Sequence, residues 1–223
     1  MPSFSHIKTL ILKDLKLEWR NKYAFNGILL YVAGAVFICY MSFSVKRGIV
    51  HPITWNALFW IILLFSAINA VSKSFAGEKE ARNLYYYTLV SPQALIISKI
   101  IYNIFLLLIL GVIGFVFYSF VMGNPIQDQL LFAACLFLSA IGFAGALTLV
   151  SAIASKVSNN GTLMAILSFP ILLPMILLII KISKNSIDGL DRSVSYDELL
   201  TLSALNVIVL TTSYILFPYL WKN

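Results

Sequence analysis

Few residues of this 223-residue chain are of a type that could do chemistry, and the densest group lies in one stretch. Phe75 to Pro92 reads FAGEKEARNLYYYTLVSP and carries Glu78, Lys79, Glu80 and Arg82 within five residues. No nucleophile–base pair is visible in it, so the chemistry it suits is recognition of a charged surface. Glu78 and Arg82 stand at i, i+4 with the acid nearer the N-terminus, which favours a short helix. Tyr85, Tyr86 and Tyr87 have apolar bodies and polar tips and suit headgroup depth. A plainer reading is a charged, solvated turn with an aromatic belt. The stretch is far longer and more charged than two adjacent helices require, which favours a docking point for a soluble partner.

The remaining candidates are sparse. His51, in a short polar connection, could ligate a metal or haem, or simply be solvated. Asp188, Asp191, Asp197 and Glu198 lack the spacing of a calcium loop, and their segment reads as a solvated, half-helical hairpin. Cys39 and Cys135 fall mid-span as core-packing residues, and no C-x-x-C or C-x-x-C-H pattern occurs. No G-x-x-x-x-G-K-[ST], G-x-S-x-G or H-E-x-x-H sequence is present, nor a Cys/His metal cluster. No catalytic or metal-binding residue is therefore assigned, and ATP hydrolysis is expected in another subunit. The absence of a central Asp, Glu, Lys, Arg or His in any span argues against an ion-coupled transporter and an intramembrane enzyme. A membrane body with a charged loop and no engine suggests one subunit of a machine.

The elements that must position the loop follow from composition. The chain is 60% hydrophobic and 11% charged, where a soluble domain carries about 25% charged residues. Six stretches lack Asp, Glu, Lys and Arg: Tyr23–Val45, Gly48–Ser72, Ile100–Gln127, Gln129–Ser155, Val157–Ile180 and Leu199–Trp221. Each is long enough to cross a bilayer, and helices satisfy their own backbone there. The expected fold is an all-α polytopic membrane protein, one domain over residues 1–223. It has six transmembrane helices at about 24–45, 53–73, 99–121, 129–154, 162–182 and 199–220. An N-terminal interfacial amphipathic helix covers 5–22, and a cytoplasmic coupling helix lies between spans two and three. Asn83–Ser98 reads as a short surface helix and a turn into span three. The first 22 residues do not resemble a cleaved signal.

Eleven of the 16 lysines and arginines fall on one face and five on the other, which places both termini and the Glu78–Arg82 loop in the cytoplasm. The net charge of +7 is accounted for by this topology and by anionic headgroups, without nucleic acid. In the first helix Ile7, Leu10, Ile11, Leu15 and Trp19 share a face, with Lys13, Lys16 and Arg20 opposite. Asp14 and Glu18 lie inside the apolar arc. They either snorkel or pair locally, as Glu18 with Lys22, or face Lys73 or Arg82 of the second loop. Trp55 and Trp60 suit the outer interface and upper bilayer of span two. Gly142 and Ala146 give a spacing that lets helix backbones approach closely. Gly123-Asn124-Pro125 makes a tight turn, and Pro170 and Pro174 predict a kink or break in span five.

Taken together, these features resemble the ABC-2-type permeases, and most closely the CcmB family of the cytochrome c maturation (haem exporter) ABC complex. The match is carried by Phe75, Glu78, Glu80, Leu84, Leu89, Ser91 and Pro92, and by Phe169-Pro170-Ile171-Leu172-Leu173-Pro174 after a small-residue fourth span. Length, six spans and inward termini agree, so the resemblance covers essentially the whole chain. The chain departs from it in having Arg82-Asn83 where many relatives have glycine, and in Tyr85–Tyr87. The resemblance implies an ATPase-coupling role for Phe75, Glu78, Lys79, Glu80, Arg82, Leu84 and Pro92. It implies a CcmA-like ATPase partner, a CcmC-like haem-handling protein and a CcmE-like haem chaperone, and leaves a homodimer open. ATP would bind the partner, and haem would be handled by partner proteins. Alternatives are a generic ABC-2 exporter of a lipid, glycan or drug, and a membrane assembly factor with no ATPase.

Overall fold

The computed structural model of the chain describes residues 4–21, 23–44, 50–76, 90–156 and 160–222. Among these, every regular element is helical. The helices are α1 (Phe4–Asn21), α2 (Tyr23–Ser44), α3 (Pro52–Ala76), α4 (Pro92–Met122), α5 (Gln129–Ala154), α6 (Asn160–Asp188) and α7 (Tyr196–Lys222), with a 3-10 turn at Arg192–Ser195 before α7. Six of them, α2 to α7, are long and apolar enough to cross a membrane.

Helix α5 is the hub. It packs against α3, α4, α6 and α7 and is the most enclosed span, whereas α2 and α7 are the least. Its small residues explain the position. A methyl added at Gly142 would collide with Asn206 Oδ1 of α7, so the close approach read from Gly142 and Ala146 is real. In lipid such packing, with interhelical hydrogen bonds, takes the place of the hydrophobic drive.

Caps set the boundaries. Ser91 accepts a hydrogen bond from the Ala94 N–H and Pro92 opens α4, where a missing N–H costs nothing. Helix α4 thus begins at Pro92, not at about Lys99, and residues 92–98 are its buried first turns instead of a surface helix and a turn. Asp128 Oδ1 caps α5 by accepting from Leu130 and Leu131 N–H at 3.0 and 3.1 Å. Helix α6 continues through Pro170 and Pro174, so of the kink or break expected there, the break does not occur. It also runs on to Asp188 and closes the hairpin on Gly189, whose φ of +66° suits glycine.

The helices alternate in direction, so the bundle has two ends. The end that carries α1 is called the basic end here. At the far end the turns are stapled to each other. The Gln127 and Asp128 N–H groups donate to Ser186 O at 3.2 and 3.0 Å, and Arg192 makes a bidentate pair with Asp128 at 2.6 and 3.0 Å. Trp55 and Trp60, near the far end of α3, face inward. Both are about 1% exposed, with Trp55 Nε1 donating to Gly123 O and Trp60 Nε1 to Ser183 Oγ. An indole with an interior acceptor gains more from core packing than from the interface. Cys135 is fully buried as expected, but Cys39 is only half-buried and is not a core residue.

Candidate functional site

The basic end is built on a second core cluster, separate from the one that fills the bundle. Leu10 of α1, Phe75 of α3, Leu95, Ile96 and Ile100 of α4, Ala152 of α5, and Phe217 and Trp221 of α7 pack together. The rings run in series: Phe75 to Phe217 at 5.8 Å between centroids, and Phe217 to Trp221 at 5.6 Å. In sequence, the Glu78–Arg82 stretch follows Phe75, at the end of α3, and precedes Pro92, at the start of α4. Its two roots therefore enter one platform.

A buried ion pair locks α1 to that platform. Asp14 and Lys99 are 8% and 5% exposed, and Lys99 Nζ lies 3.1 Å from Asp14 Oδ2, an ion-pair contact without hydrogen-bond alignment. Lys13 Nζ approaches the other carboxylate oxygen, also at 3.1 Å. Lys99 further sits 5.7 Å from the centre of the Phe75 ring, a cation–π contact. Buried charge is tolerable only when paired in this way. Two ammonium groups thus face the one Asp14 carboxylate.

A polar seam fixes the last turns of α3, just before residues 77–89 in the chain. Asn103 Nδ2 donates to Ser74 Oγ at 3.2 Å and to Thr148 Oγ1 at 2.8 Å, and Ser151 Oγ donates to Ser72 O at 3.4 Å. The last turns of α3 are thereby tied to α4 and α5. Such a base can carry a push or pull on the loop into the spans, because packed elements rearrange as units.

Of the residues read from sequence, the structure brings Asp14, Phe75 and Pro92 to this platform. Arg20 is exposed on α1. Glu18 and Trp19 lie on α1, with side chains outside the described set, as is that of Lys73. Glu78, Lys79, Glu80, Arg82 and Leu84 lie outside the described residues. Pro170 and Pro174 are in mid-α6, away from the platform. Among the described residues Asp14 pairs locally with Lys13 and across the bundle with Lys99, which the sequence reading treats only as a boundary charge; the other expected partners, Lys73 and Arg82, lie outside the described side chains. The signal was an acid within the apolar arc of α1. The buried amides Asn56, Asn103 and Asn206 were also missed. They carry no charge and so do not interrupt an apolar run. Among the described residues no group of three His, Cys, Asp or Glu is placed to hold a metal ion.

A family model described as "CcmB protein" matches residues 5–217, from the start of α1 almost to the end of α7. The chain belongs to the CcmB family. A search of curated proteins returns no match. As a CcmB-family chain it is a multi-pass membrane subunit of an ABC transporter of the haem-exporter and cytochrome c maturation class, a permease and not the catalytic subunit. Such a system includes an ATPase and other Ccm components. The match spans every residue of the platform except Trp221.

Proposed function

We propose that this CcmB-family subunit couples ATP hydrolysis in a CcmA-like partner to haem delivery, or to release of a haem-loaded CcmE-like chaperone, with a CcmC-like protein alongside. The Glu78–Arg82 stretch docks on the ATPase as a coupling helix. Closure of the ATPase displaces it, and the displacement enters α3 and α4 through Phe75 and Pro92. The far-end segments around His51 and Asp188–Glu198 then act on partners outside. The basic end faces the cytoplasm of a bacterial inner membrane in this reading, in keeping with the positive-inside rule.

The observation that carries the reading is that both roots of the charged loop are held in one buried cluster with α1, α5 and α7. A loop that only joined two helices would need no such base. The test is co-purification. A Glu78→Lys, Glu80→Lys variant inserts normally but loses the ATPase subunit, and the cell loses mature cytochrome c. Retention of the ATPase at the wild-type level would overturn the docking role. A normal cytochrome c content after deletion would favour a generic exporter instead.

A further inference from the structure

Helix α1 presents three faces. At about 100° per residue, they are spaced roughly 120° apart. Leu10 and Asp14 face the bundle and are buried. Leu12 and Leu15 are 46% and 41% exposed and look away from it. Between these two, on the remaining flank, runs a groove lined by Thr9, Leu12, Lys13, Lys16, Leu17 and Arg20. Three cations line it and, among the described residues, no carboxylate does. Lys13 pairs with Asp14, while Lys16 and Arg20 are exposed.

Leu12 belongs to both the exposed apolar arc and the groove. The groove therefore joins an exposed apolar face to a basic one, with Leu12 and Leu17 as its apolar part and the exposed Lys16 and Arg20 as its basic rim. Basic stems crossing an apolar surface to reach a polar layer are the pattern of an interfacial helix. An amphiphile with a phosphate head and an acyl chain satisfies both halves of this lining. An acidic protein surface would satisfy only the rim and leave Leu12 uncovered.

We infer that this flank of α1 is a specific site for an anionic phospholipid, with the phosphate held by Lys16 and Arg20 and the glycerol and upper acyl chain along Leu12 and Leu17. The site is independent of the coupling reading, and either can fail without the other.

Native mass spectrometry of the full chain in detergent tests it, using equimolar phosphatidylglycerol and phosphatidylcholine with matched chains. A basic residue near an anionic surface contributes about fivefold in affinity, so the pair should contribute about 25-fold. The wild type is expected to retain phosphatidylglycerol preferentially. Lys16→Gln with Arg20→Gln should abolish most of that preference, with phosphatidylcholine retention and the thermal midpoint unchanged. Lys184→Gln at the far end should have no effect, and a loss there equal to that of the pair would make the effect one of net charge. Glycerol phosphate at equal concentration should not displace the lipid; displacement would mean a free-phosphate site. Equal retention of the two lipids, or an unaltered preference in the double variant, overturns the proposal. Loss of the ATPase from the double variant with lipid retention intact overturns it too, by giving the groove to an acidic protein face.

Discussion

Lys99 is 5% exposed, with its ammonium 3.1 Å from Asp14 and above the ring of Phe75. Removing one member of a buried pair leaves the other charge desolvated, at a cost of about 3–5 kcal/mol. Lys99→Met alone should therefore lower the thermal unfolding midpoint in detergent sharply. Asp14→Leu added to it should recover most of the loss, and no recovery would mean that the pair is not the determinant. Gly142 is the second critical residue. A methyl there meets Asn206 Oδ1 and lies 3.3 Å from Met175 Cε, while Asn206 Nδ2 is already committed to Leu138 O at 2.9 Å. Gly142→Ala should cost about 1–3 kcal/mol by overpacking. Asn206→Ala in the same chain should lessen that cost, which a double-mutant cycle on the melting midpoint would read. At this scale the sequence made Asp14 conspicuous but not its partner. Which distant lysine meets it depends on how α1 crosses α4, and no periodicity encodes that.

The helices themselves were legible, because an uncharged run of about 20 residues has one stable form in lipid. Their ends were less so. Charge was used as the mark of a boundary, and Lys99 is a charge that Asp14 allows inside. The true start of α4 is written in Ser91-Pro92, a cap followed by a first-turn proline. Ser91→Ala should cost about 1 kcal/mol, with hydrogen exchange quickening first at Ala94 and Leu95. At the far end, the hydrogen bond from Arg192, helped by the Leu131 N–H, holds the Asp128 carboxyl down at about 2. A depressed carboxyl contributes stability above its unfolded value, about 3.9, and loses it as pH falls through the folded one. The staple between the α4–α5 turn and the α6–α7 turn should thus be unchanged from pH 7 to 5 and released only in the window between about 4 and 2. Arg192→Gln should move that release to higher pH, as read by exchange at Gln127 and Asp128.

The two ends of the molecule are held by different physics, and that difference bears on its orientation. The far end is tied turn to turn by hydrogen bonds and the exposed Asp128–Arg192 pair, whereas the basic end rests on rings, a polar seam between helices and the buried Asp14–Lys99 pair. The lysine and arginine bias follows the same division, eleven against five by sequence position. Lys156 and Lys184 are both exposed and lie at opposite ends, following α5 and late in α6. Single cysteines there, in a chain with Cys39→Ala and Cys135→Ala, separate the sides. An impermeant thiol reagent should label the Lys184→Cys chain in intact cells and the Lys156→Cys chain only after permeabilisation. The reverse pattern would put the charged loop outside the cell, beyond the reach of any nucleotide-hydrolysing subunit in the cytoplasm, and the coupling role would fall with it. Labelling of both from one side would contradict the antiparallel run of α5 and α6 itself, which the Gly142–Met175 contact and the bonds from Gln127 and Asp128 to Ser186 hold in place.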